Sequence, residues 1–145
     1  MSTKKTVDET LFKEGKLFKV YVESSDFEKV YKSASIPSED EKFFSSLPLK
    51  VLCISEHWCG DCRREVPLLA YIAHKAGWDL RIFGRDENPA LMEKYTTEGK
   101  QKIPIFVFFD ENFKEIGRFV EKAPEGKTTL EVLKEILGKD ISSNI

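Results

Sequence analysis

Cys59 and Cys62 stand three residues apart in Glu56-His57-Trp58-Cys59-Gly60-Asp61-Cys62, and that spacing admits two chemistries. Two thiols one helical turn apart can close reversibly into a disulfide, or they can supply half of a four-ligand metal site. A redox dithiol needs an attacking sulfur that is exposed and partly ionised, with a second sulfur able to reach it. A helix beginning near Cys59 sets that sulfur over unpaired backbone N–H groups at the positive end of the dipole, with Cys62 one turn further in on the same face. Lowering a thiol from ~8.5 to ~7 takes about 2 kcal/mol, whereas an exposed helix terminus supplies ~0.3–1 kcal/mol, so neighbouring charges matter. Asp61 opposes ionisation: at ~7 Å and an effective dielectric of ~20–80 it repels a thiolate by roughly 0.6–2.4 kcal/mol. Arg63 and Arg64 push the other way. Asp61 is therefore a candidate for tuning the thiols, or for accepting the Cys62 proton when the disulfide closes.

For a structural zinc site the chain offers few further ligands. Beyond the pair, only Cys53, His57 and His74 are soft or imidazole donors, and there is no second Cys-x-x-Cys or paired-His motif. The redox reading is favoured. A zinc- or iron-sulfur-binding module using Cys59 and Cys62 is the alternative, and an interaction scaffold with vestigial cysteines is a third reading. Cys53 reads as a small core residue, His57 as a strand-end residue and His74 as a solvated one. No bound organic cofactor is implied.

The elements that must position the pair follow from patterning. At 145 residues the chain is expected to fold as one compact unit. The charge, 23 basic against 25 acidic residues, gives no reason to expect nucleic acid or an anionic membrane as partner. The first ten residues contain no apolar run of signal-peptide length, so a cytoplasmic location is expected. There structural disulfides are rare, which favours a functional Cys-x-x-Cys.

Residues 1–47 read as a helical extension packed on a core formed by residues 48–145. Three capping boxes, Thr6 with Glu9, Ser25 with Glu28 and Ser38 with Glu41, each precede apolar residues at helical spacing. Leu17 to Val22 suits either a helix or a strand. From Lys50 onward strands and helices alternate: a buried strand Val51–Ser55, a helix over 60–76 closed by Gly77, and a strand Trp78–Phe83. A short helix from Pro89 through Tyr95 follows, then a hairpin of Ile105–Phe109 and Phe113–Val120. The last helix is capped by Thr128 with Glu131 and stops at Gly138. This order predicts an α/β fold, with a mixed four- to five-stranded sheet and helices on both faces.

The chain resembles the thioredoxin superfamily over about residues 49–138. Trp58-Cys59-Gly60-Asp61-Cys62 matches that family's Trp-Cys-Gly-Pro-Cys centre except at Asp61. Pro67 stands where the family kinks its active-site helix, and Ile103-Pro104 looks like the family's Ile-Pro, whose peptide bond is cis. The resemblance implies a thioredoxin-like fold with Cys59 as nucleophile and Cys62 as resolving thiol. It also implies Pro104 beside the dithiol, the Ile103 backbone presented to a substrate's extended chain, and Trp58 and Gly60 at the contact surface. The helical N-terminus departs from thioredoxin proper and is similar to a thioredoxin-like group carrying such an extension. At Cys53 thioredoxins carry a buried aspartate that helps deprotonate the resolving cysteine, so here Asp61 or Glu56 would have to supply a carboxylate. The activity implied is reduction or exchange of protein disulfides. Its partners would be disulfide-containing proteins and an external thiol reductant or reductase.

Overall fold

The computed structural model describes residues 7–22 and 25–143. Lys50–Ser55 (β1), Asp79–Gly84 (β2), Ile105–Phe109 (β3) and Glu115–Val120 (β4) form one four-stranded sheet in the order β2-β1-β3-β4. β1 runs parallel to β2 and antiparallel to β3, and β3 runs antiparallel to β4. The sheet is thus mixed, with helices on both sides, and among the described residues it has four strands. Val51 to Ser55 and all of β3 are buried, so the central strands read as continuous apolar runs rather than alternating ones. At the outer edge of β2, Lys16 exchanges both backbone hydrogen bonds with Ile82 at 2.8 Å. That single bridge covers part of an edge that would otherwise expose unpaired groups.

Among the described residues seven helices accompany the sheet: Glu9–Phe12 (α1), Phe18–Tyr21 (α2), Ser25–Ser33 (α3), Ser38–Ser45 (α4), Gly60–Ala76 (α5), Pro89–Lys94 (α6) and Thr129–Ser143 (α7). α3 and α4 pack on α5, α2 meets β2, and α7 lies against β4. One buried cluster joins Phe12, Tyr21, Phe27 and Phe44 from the N-terminal helices to β1, β3, Val66 and Leu133. The ambiguous 17–22 stretch is helical, a single turn that buries Tyr21.

Several boundaries differ from the sequence expectation for identifiable reasons. Thr6 lies outside the described residues, and α1 is capped by Asp8, whose carboxylate accepts the Leu11 amide at 2.9 Å. The Ser25 side chain also lies outside what is described. Ser38 does not cap α4: the first helical bond runs from the Glu41 amide to the Pro37 carbonyl, so Pro37 is the cap residue and Ser38 is already helical. β4 begins at Glu115 rather than Phe113. Asp110 Oδ1 accepts the Asn112 and Lys114 amides and Phe113 has φ +61°, so these residues are consumed by the turn. α7 continues through Gly138 to Ser143; a glycine inside a helix costs only about 1 kcal/mol relative to alanine, too little by itself to end the helix. Its capping box does form, with Thr128 Oγ1 accepting the Glu131 amide at 3.1 Å and Glu131 accepting the Thr128 amide at 3.2 Å. Gly77 closes α5 in the left-handed region (φ +78°), a conformation that disfavours any residue with a Cβ.

Candidate active site

The site forms where β1 ends and α5 begins. Cys59 is the N-cap of α5, with extended backbone (φ −80°, ψ 122°), and its Sγ accepts the Cys62 amide at 3.2 Å. The sulfur thus occupies the place that a Ser or Asp oxygen takes at an ordinary helix start, where anionic character is favoured. The Cys59 thiol also reaches the Ile103 carbonyl at 3.7 Å. The Ile103–Pro104 peptide bond is cis, and the Pro104 carbonyl accepts the Glu121 amide at 2.7 Å just past β4. A residue 44 positions away in sequence is thereby brought against the dithiol.

Accessibility separates the two sulfurs. Cys59 is 8% exposed and Cys62 0%, and all three cysteines are free thiols. Burial pushes the Cys62 thiol well above its ordinary range. Its hydrogen bond to Cys59 favours the protonated form further, while hydrogen bonds from Ser55 and the Glu56 backbone act the other way. Cys62 therefore holds its proton and directs it at Cys59, which receives two donors, the Cys62 amide and the Cys62 thiol. Cys53 lies wholly buried on β1, and burial followed by the neighbouring Cys62 raises its pKa well above the usual thiol range.

Around the thiols the candidate residues separate into surface and interior. Trp58 is 57% exposed, and the Arg85 guanidinium lies 5.0 Å from its ring centroid. Arg63 donates to the Trp58 carbonyl at 3.2 Å. Gly60 is exposed, and nothing lies within 4 Å of the place a Cβ would take, so the chain is bare beside Cys59. Asp61 is held by Arg64 in an i,i+3 ion pair, and no hydrogen bond joins its carboxylate to either sulfur among the described residues. Glu56 Oε2 accepts the Asp86 amide at 2.8 Å. Among the described residues neither carboxylate considered for the proton-accepting role is hydrogen-bonded to Cys62.

Two hydroxyls are found there instead. Ser55, fully buried at the end of β1, hydrogen-bonds Cys62, and its Oγ lies 2.9 Å from the Tyr21 hydroxyl. Burial first of all holds the Tyr21 phenol well above its ordinary value, so it stays a donor. His57 stacks on Tyr21 with ring centroids 4.2 Å apart, and its Nε2 lies 2.7 Å from the Tyr21 carbonyl. His57 thus braces Tyr21 through its ring and Nε2, and His74 pairs with the Tyr31 hydroxyl at 2.7 Å elsewhere on α5. Among the described residues no group of three or more His, Cys, Asp or Glu side chains converges on a point that could hold a metal ion. Sequence reasoning missed Ser55 and Tyr21. The available signal was Ser55 itself, a polar residue closing an apolar strand and, with period two, on the same face as Cys53.

A family model described as thioredoxin matches residues 17–134. No curated protein matches the sequence. Among solved structures, an HIV epitope-scaffold protein is similar at 21% identity and TM-score 0.66, over 89% of this chain and 87% of its own. A protein of unknown function from Pseudomonas aeruginosa is similar at 21% identity and TM-score 0.65, over 92% of this chain and 86% of its own. A thioredoxin from Fasciola hepatica aligns at 24% identity and TM-score 0.48, over 70% of this chain and 91% of its own. The first two likenesses are of fold.

Proposed function

We propose that this chain, which belongs to the thioredoxin family, is a thiol-disulfide oxidoreductase that reduces or exchanges protein disulfides through Cys59 and Cys62. One observation carries the reading: Cys59 caps a helix, accepts the Cys62 amide, and lies against the Ile103 carbonyl beside Pro104, while Cys62 waits one turn deeper with its proton. Cys59 Sγ attacks one sulfur of a substrate disulfide. A Cys59–substrate bond forms, the substrate bond breaks, and the departing thiolate takes a proton. Cys62 then attacks Cys59 Sγ, closing the Cys59–Cys62 disulfide and releasing the second substrate thiol. Two electrons pass to the substrate, and an external thiol or reductase returns them.

The surroundings fit an extended protein chain better than a small thiol. Trp58 offers an exposed apolar face, Gly60 leaves the approach open, and the Ile103 carbonyl lies against Cys59, where an extended substrate chain would displace the thiol to pair with that backbone. A cytoplasmic setting, where an external reductant is abundant, suits this direction of transfer; no helix among the described residues is long and apolar enough to cross a membrane. The test is turnover of a disulfide-containing protein with dithiothreitol as electron source. Cys59→Ser is expected to fall to the uncatalysed rate, and Cys62→Ser to accumulate a covalent adduct with substrate. Wild-type turnover by Cys59→Ser would remove Cys59 from the mechanism and refute the proposal.

A further inference from the structure

Closing the disulfide requires Cys62, the most buried thiol of the pair, to lose its proton, and the groups facing it determine how. From β1 come Cys53, a neutral thiol, and Ser55; from the loop after β1 comes the Glu56 backbone; from α5 itself comes Cys59; and behind Ser55 lies Tyr21 of α2. The nearby carboxylates are engaged elsewhere, Glu56 with the Asp86 amide and Asp61 with Arg64. His57 stacks on the Tyr21 ring, and the Tyr21 hydroxyl still meets Ser55 Oγ directly at 2.9 Å.

We infer that Tyr21 and Ser55 form a two-hydroxyl donor chain that stabilises the Cys62 thiolate while it resolves the mixed disulfide. In the reduced protein the Cys62 thiol donates to Cys59. Once Cys59 is bonded to substrate its sulfur is a weaker acceptor, and the Ser55 hydroxyl, already hydrogen-bonded to Cys62, is left to donate to the developing thiolate. Ser55 then accepts from Tyr21, whose hydroxyl oxygen lies 2.9 Å from the Ser55 Oγ. A hydroxyl that both accepts and donates binds an anion more strongly than one that only donates. The Cys62 S–H bond breaks, the Cys62–Cys59 bond forms, the Cys59–substrate bond breaks, and the proton lost by Cys62 balances the one gained by the leaving thiolate. No further oxidant or reductant enters. Ser55 is in contact with a reacting atom; Tyr21 is a positioning residue that acts through it. Tyr21 belongs to the N-terminal helices, so that segment contributes chemistry to the site as well as packing.

This inference rests on the dithiol reading above, and the experiment separates the two. Reduced protein is mixed with excess 5,5′-dithiobis(2-nitrobenzoate) and followed by stopped-flow absorbance. Attack by Cys59 releases one equivalent of thionitrobenzoate, and resolution by Cys62 releases a second. Tyr21→Phe removes one oxygen and keeps the ring that His57 stacks on. It is expected to leave the first phase unchanged, slow the second roughly tenfold, and move its rise with pH upward by about one unit, since one unit corresponds to a tenfold change in thiolate fraction. Ser55→Ala is expected to slow the second phase by roughly ten- to a hundredfold, the range for a hydrogen bond to a charged group. Ser55→Thr keeps the hydroxyl and restores the second phase. A merely structural role for Tyr21 would lower stability without displacing the pH profile. Two equivalents released by Tyr21→Phe with the parent's second-phase pH profile overturn the inference alone, whether or not Ser55→Ala folds. A parent that releases one equivalent only overturns the dithiol reading and this inference with it.

Discussion

The ion pair between Asp61 and Arg64 sits at the first turn of α5, and its net effect on Cys59 can be measured by removing one charge at a time. A lone Asp61 at ~7 Å from the sulfur repels a thiolate by roughly 0.6–2.4 kcal/mol across effective dielectrics of ~80 to ~20. The Arg64 side chain is 60% exposed and Asp61 26%, so solvent screening places the effect near the low end, about 0.6 kcal/mol or roughly threefold in rate. In the native pair the two charges nearly cancel. Arg64→Ala is therefore expected to slow alkylation of Cys59 by iodoacetamide at pH 7 about threefold, Asp61→Asn to speed it about threefold, and the double variant to return near the parent. Because Cys62 is fully buried, the first alkylation reports Cys59, which peptide mass spectrometry checks. At ~1 M salt, where the Debye length is about 3 Å, all four rates should converge. If both single variants shift in the same direction, or if the differences persist undiminished in high salt, the through-space argument is refuted and Asp61 acts by contact instead.

Three further outcomes follow from interior groups. Glu65 is 8% exposed, accepts the Thr129 hydroxyl at 2.7 Å, and has its pKa raised mainly by burial. A carboxyl raised in the folded state stabilises below its unfolded value of ~4.3 and loses that contribution as pH rises through the folded value. Glu65→Gln, which can still accept from Thr129, should thus be more stable than the parent in urea at pH 7 and equal to it at pH 4; equal stability at both would refute this. Gly117→Ala puts a Cβ 2.5 Å from Ile136 Cγ2 on α7, an overpacking that costs about 1–3 kcal/mol, or a melting temperature lower by roughly 3–10 °C. Adding Ile136→Ala should cost less than the sum of the two single changes, and strict additivity would show that the clash is absent. Cys53→Ala deletes a buried thiol that stays protonated; disulfide reduction should remain within about twofold while stability falls by ~1 kcal/mol, and loss of turnover in a folded variant would make Cys53 a participant.

What could be read from the chain was what local rules govern. The Cys59–Cys62 spacing, the strand before it and the helix after it, the Gly77 stop and the Thr128–Glu131 box all depend on neighbours within a few residues. The Asp61–Arg64 pair was also legible, being an i,i+3 contact on a helix. Cap positions shifted where a second rule competed. Pro37 has extended backbone and takes the cap that Ser38 would otherwise fill, and Asp8 stands two residues closer to α1 than Thr6 does. Lys16 and Ile82, 66 residues apart, gave no local sign of their bridge.

The Tyr21–Ser55 contact was least legible, because it joins residues 34 apart through a helix only one turn long. A four-residue helix is too short to be stable by propensity, so tertiary contacts must hold it. Those contacts are specific: Tyr21 stacks on His57 and meets Phe27 edge to face at 5.7 Å, while Phe18 stacks on Tyr31 at 5.2 Å. Each aromatic pair adds about 0.5–1.5 kcal/mol beyond its buried area, enough together to fix the Tyr21 ring where its hydroxyl meets Ser55. His57, within the motif itself, is thereby the link between the dithiol segment and the N-terminal helices. A site that looked like one strand-helix junction draws on two parts of the chain: Cys59, 8% exposed, caps α5, and Tyr21 of α2 meets Ser55 at the end of β1 behind it.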